Sequence, residues 1–185
     1  MVAGRRVALY GAADHADRYG RLTAQVTIVG PDVLWLQGEL VLAGMVHAAP
    51  DSGPLDCTAA LIGRETVARQ RRAGLWREGT LAVRNASAVP LLLAGAGSFA
   101  VVEGTVLRIG EAGGRVFIDF GRRYSRDFSI IVPREAQAGF AKAGLDLHGL
   151  SGKRIRARGV LFEQGGPAME LMNPAALEVI GANGT

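Results

Sequence analysis

From residue 98 to residue 172 the sequence spells out an order of elements that few folds accept. Residues 99–109, 115–120 and 128–132 are short apolar, β-branched or aromatic runs separated by Gly-containing turns, which is the pattern of three strands. Pro133 then stands where a proline opens a helix, with Phe140 and Ala143 on the segment that follows. Two more strand-like runs, 153–162 and 168–172, complete the series. Three strands, a helix and two strands is the order of an OB barrel, and the stretch has the length of a small closed one.

The bulk properties agree with a folded, largely β chain. Its 185 residues suffice for one large domain or two small ones. Apolar residues make up 49% and charged residues 21%, with no long block of like charge, which excludes a disordered chain. The 26 glycines among short apolar runs favour tight turns and strands. A net charge of +4 is a mild basic bias that suits an anionic partner such as nucleic acid without requiring one. A single cysteine, Cys57, excludes an intramolecular disulfide and argues against a thiolate metal cluster; it reads as a buried, inert thiol. The first ten residues lack the apolar core of a secretory signal, and no run of 18 apolar residues could span a membrane. As written, the chain carries no address and reads as cytoplasmic.

The N-terminal third has its own organisation. Residues 5–28 read as two strands joined by a long polar loop, with Tyr19-Gly20-Arg21 opening the second strand. Leu22, Ala24, Val26 and Ile28 alternate there with Arg21, Thr23, Gln25 and Thr27, which puts Arg21 on the polar face. After the turn at Gly30-Pro31-Asp32, the spacing of Leu36, Leu40, Ala43 and Val46 predicts a helix over 34–46. His47 follows as a solvated residue at its C-terminal end. Asp56 is placed to cap a second helix reaching Ala73, with Cys57, Ala60, Leu61, Val67 and Ala68 on its inner face. Gly74 would stop that helix, and Leu75 and Trp76 would fold back as anchors. The expected division is a first domain over 1–80, a connector over 81–97 in which 90–93 form a short helix, and a barrel over 98–181.

Two groups of cations stand out in that barrel. In Lys153-Arg154-Ile155-Arg156-Ala157-Arg158, the arginines Arg154, Arg156 and Arg158 share one exposed strand face, opposite Ile155 and Ala157. Arg122, Arg123, Tyr124 and Arg126 cluster in the turn after the second strand. OB barrels bind single strands through a basic groove with aromatic stacking platforms. Tyr124, Phe117 and Phe120 are the aromatics near enough to serve, although either phenylalanine could instead be core. Solvated arginines and a phosphate-binding surface are both consistent with the pattern.

Asp17-Arg18-Tyr19-Gly20-Arg21 before a strand, the helix LQGELVLAGMV, and a second helix ending AGLW at Ala73 to Trp76 resemble the second half of the thermonuclease (micrococcal-nuclease-like, SNase-like) domain. The whole chain resembles thermonuclease-family proteins that carry an extra OB-like module, with the N-terminal half of the nuclease domain missing. The resemblance implies an α+β, mainly β architecture: an incomplete thermonuclease-like OB barrel with two helices, then a second OB-fold β-barrel. It also implies phosphodiester hydrolysis with a Ca2+ ion held by carboxylates, a glutamate base and two phosphate-clamping arginines, of which Arg21 matches one. Such a division of labour offsets the charge that grows in the transition state. The carboxylates, the base and the second arginine fall outside the matched stretch. Asp14 and Asp17 lack the spacing of a metal cage, so no metal is expected on this chain alone.

Arg21 therefore has two readings, a phosphate clamp with Arg18 and Tyr19 beside it, or a strand-end arginine that is solvated or paired with Asp14 or Asp17. The resemblance implies nucleic-acid binding, single strands favoured, with hydrolysis only if the missing half is supplied. The alternative is a non-catalytic nucleic-acid-binding or protein-interaction module built from OB barrels. Met1 sits where the family has the end of a helix. That suggests either a natural start further upstream, with export then open, or a shortened relative that pairs its edges as a homodimer.

Overall fold

Strand pairing, more than hydrophobic periodicity, sets where the elements of the N-terminal third begin and end. In a computed structural model of the chain, residues 2–11, 16, 18–50, 55–123 and 125–181 are described, with the backbone alone for residues 55 and 56. They form two units, 1–81 and 82–185. In the first, β1 (Val7–Tyr10) and β2 (Gln25–Ile28) pair antiparallel, and β3 (Leu34–Trp35) pairs with β2. The expected strand from Arg21 is shorter than its alternation suggests. Pairing ends where Tyr10 meets Gln25, so Arg21 and Leu22 precede the strand, and Leu22 is exposed. Without a ladder partner, alternation alone does not hold a chain extended.

The helices are α1 (Leu36–Leu42), α2 (Leu55–Gln70) and α3 (Leu75–Glu78). The buried side of α1 is Gly38 and Val41, rather than Leu36, Leu40, Ala43 and Val46. Gly44 ends the helix because it meets the chain after α2: a Cβ there would lie 2.1 Å from the Ala73 carbonyl oxygen, and one on Gly74 would lie 2.4 Å from that of Ala43. The two glycines let backbones touch, and Leu75 N donates to Gly44 O at 3.0 Å. Gly74 thus serves this crossing, while α2 has already ended at Gln70. At its other end α2 begins at Leu55, so Asp56 lies inside the first turn and not before it.

Thr58, Leu61, Glu65 and Ala68 form the buried side of α2; Ala60 is exposed and Cys57 only half-buried. Glu65 is fully buried and accepts a hydrogen bond from Ala48 N at 2.8 Å, with His47 Nδ1 3.5 Å away. His47 is therefore no solvated helix end. It is half-buried, edge-on to the buried Trp76 with ring centroids 5.2 Å apart.

The second unit starts within the expected connector. β4 (Val83–Asn85) pairs parallel with β5 (Phe99–Thr105), and α4 (Val89–Ala94) between them buries Leu92. The strands β6 (Arg108–Ala112), β7 (Arg115–Asp119) and β8 (Ser129–Val132) follow, then α5 (Arg134–Lys142). The chain continues through β9 (Arg154–Gln164), β10 (Gly166–Glu170) and β11 (Leu177–Ile180). Pairing runs β4-β5-β9-β10-β8-β7-β6, with β11 on β9; β8 and β10 are parallel. This is a mixed α+β unit with an OB-fold-like order. The expected closed barrel is not seen among the described residues: pairing forms an open path. Its β5 and β6 segments follow each other in the chain across Val106 and Leu107, so covalent continuity, not a hydrogen-bonded ladder, relates them.

Period-two alternation fills the core. Val116 and Ile118 of β7, Ile130 and Val132 of β8, Ile155 and Ala157 of β9 and Met169 of β10 meet Ala136 and Phe140 of α5. Phe120 packs on the same core, 5.2 Å from Phe128. The alternate residues of β6, β7 and β8 face the other way, and there the candidate site lies.

Candidate nucleic-acid interface

Register decides which side chains become neighbours on the outer side of β6, β7, β8 and β10. Arg108, Asp119, Ser129 and Ala168 stand opposite one another across the four strands. Two residues along, Gly110, Phe117, Ile131 and Glu170 form the next row. These rows floor a groove of about 650 Å³ whose lining includes Arg108, Gly110, Phe117, Asp119, Ser129 and Ile131.

Phe117 is the aromatic of this groove. It is half-buried, sits outside the side chains packed on the core, and has Gly110 as its cross-strand neighbour. A Cβ on Gly110 would meet nothing within 4 Å. The position opposite Phe117 on β6 is therefore open space. Beside it, Asp119 is almost fully buried, with its side chain 4% exposed. Its Oδ2 accepts from Arg108 Nε at 3.2 Å and Nη2 at 2.7 Å, and its Oδ1 accepts from Ser129 Oγ at 2.8 Å. The carboxylate is thus satisfied from both sides, and the Arg108 side chain, 55% exposed, is held by it at the groove.

The ends of the groove are tied down by backbone. The β6–β7 turn uses Gly113 and Gly114 at φ +60 and +77, the conformation of a tight hairpin. Gln137 Nε2 of α5 donates to Gly114 O at 2.8 Å and fixes that turn, where Arg115 is exposed. At the other end the loop between β7 and β8 lies on the β9–β10 turn. A Cβ on Gly166 would fall 2.6 Å from the Asp127 carbonyl oxygen. Arg122, Arg123 and Arg126 are exposed on this loop. Asp127 Oδ2 accepts from Arg123 N at 2.9 Å, and Arg123 O accepts from the backbone of Arg126 and Asp127 at 2.8 Å each. Ser125 lines the groove from the same loop. Tyr124 lies outside the described residues, as do Asp14 and Asp17.

The arginine strand is placed differently from its expected exposed face. Arg156 stands opposite both Glu103 on β5 and Glu178 on β11. It donates to Glu103 Oε2 from Nε at 2.9 Å and Nη2 at 2.6 Å. Arg154 pairs with Glu103 Oε1 at 2.5 Å, and Arg158 pairs with Glu178 through Nη2. The Arg158 side chain is fully buried and that of Arg156 is 14% exposed; only Arg154, at 65%, reaches solvent. Alternation identified the face correctly, but the glutamates that occupy it lie 53 and 22 residues away in sequence for Arg156.

In the N-terminal unit Arg18, Tyr19 and Arg21 are brought together. The guanidinium carbons of Arg18 and Arg21 lie 4.7 and 5.0 Å from the centroid of the exposed Tyr19 ring. Among the described residues no three of His, Cys, Asp and Glu stand close enough to hold a metal ion. No described helix is long and apolar enough to cross a membrane. Sequence reading passed over Arg108, Gly110, Asp119 and Ser129. Their signal was the second face of the same alternation that located the core.

No family model and no curated protein matches the chain. Solved structures do. The OBody AM1L10 bound to hen egg-white lysozyme is 15% identical, covering 48% of this chain and 84% of its own, with a TM-score of 0.34. Asparaginyl-tRNA synthetase from Pyrococcus horikoshii complexed with asparaginyl-adenylate is 20% identical over 48% of this chain and 20% of its own, with a TM-score of 0.34. Aspartyl tRNA synthetase from Entamoeba histolytica is 11% identical over 57% and 22%, with a TM-score of 0.38. This chain thus covers only about a fifth of each synthetase's length. The likeness to OB-fold domains is distant and assigns no family.

Proposed function

We propose that the C-terminal unit is a nucleic-acid-binding module that takes a single strand along the outer side of β6, β7, β8 and β10. The observation that carries this reading is Phe117, an aromatic placed outside the core and opposite a glycine, in a groove that Arg108 and Glu111 also line. Side chains without a ligand role at a half-open sheet face are ordinarily polar, whereas a base offers a face to stack on. Arg115 at one end and Arg122, Arg123 and Arg126 at the other supply cations for the phosphates. The β5–β6 segment then corresponds to the bent first strand of an OB-like order, with β7 and β8 as the second and third strands that form the binding face.

The test is fluorescence anisotropy with a labelled single-stranded oligonucleotide. Phe117→Ala should weaken binding by roughly tenfold or more, the loss of one stacked base, measured at a temperature where the variant is still folded, because the half-buried ring also covers Ile131. Binding equal to that of the parent chain would overturn the reading. Arg18, Tyr19 and Arg21 are a second candidate phosphate-binding group, on the N-terminal unit. Calcium-dependent phosphodiester hydrolysis, which the thermonuclease resemblance implied, finds no supporting observation among the described residues.

A further inference from the structure

We infer that the groove selects guanine at the base stacked on Phe117, with Arg108 as the residue that reads it; this rests on the groove reading above. A guanidinium has five N–H donors and no acceptor. Asp119 engages two of them, from Nε and Nη2, which is one side of the fork. The end-on edge, made by Nη1 and the second Nη2 proton, keeps its donors. The buried Asp119, itself held by Ser129, restrains the guanidinium and so lowers the entropy lost when that edge binds.

Position follows from register. Arg108 and Gly110 are two residues apart on β6 and face Asp119 and Phe117 on β7. Arg108 is therefore the diagonal neighbour of Phe117, a separation of roughly 7–8 Å that a long side chain bridges. A base lying on Phe117 at van der Waals distance occupies the open space over Gly110 and turns one edge toward Arg108. Two adjacent donors then meet that edge. Guanine presents two adjacent acceptors, O6 and N7, whereas adenine presents N7 beside an N6 donor, which opposes a donor-only group. Cytosine also has adjacent acceptors, but its single ring covers less of the platform than a purine does.

The experiment compares short oligo-dT strands carrying one central dG, dA or dC, by anisotropy on the full chain. The dG strand should bind about tenfold more tightly than the dA strand. Arg108→Lys keeps the charge but removes the fork, and should bring the dG to dA ratio close to one. Equal binding of dG and dA, or tighter binding of dC, overturns the inference. So does a ratio that survives Arg108→Lys, or an equal weakening on all three strands, which would mark Arg108 as a phosphate ligand. Phe117→Ala separates the two levels: if it abolishes binding while the parent shows no base preference, only this inference fails. If it leaves affinity unchanged, the groove reading fails and this inference with it.

Discussion

The C-terminal unit carries two arginine-bearing sheet faces that alternate alike in sequence and end in opposite states. On β9, Arg154, Arg156 and Arg158 look outward from the core, yet Glu103 and Glu178 arrive on both sides and take up their charge. On β6–β7, Arg108 meets a single carboxylate that is itself shared with Ser129, beside an aromatic with open space over its neighbour. A row of arginines is thus a weak indicator of a partner, because cross-strand residues can complete the charge internally. An arginine held at one edge beside a half-buried ring outside the core is a stronger one. The first arrangement consumes its charge within the unit; the second leaves guanidinium donors beside a half-buried ring.

Several substitutions would break or sharpen this contrast. The largest effect is expected from Glu178→Ala, which removes the Glu178 carboxylate that pairs with the fully buried Arg158. It should destabilise the unit by about 3 kcal/mol, read as a lower midpoint in urea, with oligonucleotide affinity of the folded protein unchanged. Weakened binding without destabilisation would show that β9 belongs to the interface. Next in size, replacing Arg122, Arg123 and Arg126 together by Ser should lower affinity and reduce the salt slope by about 0.7 for each phosphate of a single strand that is no longer neutralised. A slope equal to the parent's would remove that loop from the interface. The smallest effect belongs to Arg154→Ala, because its side chain is exposed and Glu103 keeps Arg156 as a partner; the lost pair is worth roughly 0–1 kcal/mol. It should leave both melting midpoint and affinity within error, and a severalfold weakening of binding would return the β9 face to the interface.

The C-terminal unit was largely legible because strands announce themselves locally. The runs at 99–109, 115–120, 128–132, 153–162 and 168–172 all contain strands, and Pro133 does precede α5. What escaped notice there was non-local or short: β4, β11, and the break of the first run at Val106 and Leu107. The N-terminal unit was less legible. Its α1 face was misassigned because Gly44 and Gly74, thirty residues apart, choose the packing side by allowing two backbones to touch. His47 looked like a solvated helix end because Glu65 and Trp76 reach it only through the fold.

By itself the sequence determined the alternation, and with it which half of each strand's residues is core: Val116 and Ile118, Ile155 and Ala157 could point nowhere else without exposing apolar surface. It also determined the turn at Gly113 and Gly114, where side-chain-free residues admit the positive φ that closes a two-residue hairpin. The tertiary structure alone decided what the other half does. Pairing placed Glu103 and Glu178 against one set of arginines and Gly110 against Phe117. The reason is that a side chain's period is fixed by its own backbone, whereas its neighbours are fixed by register between strands distant in the chain, and charge is cancelled or left available only by neighbours.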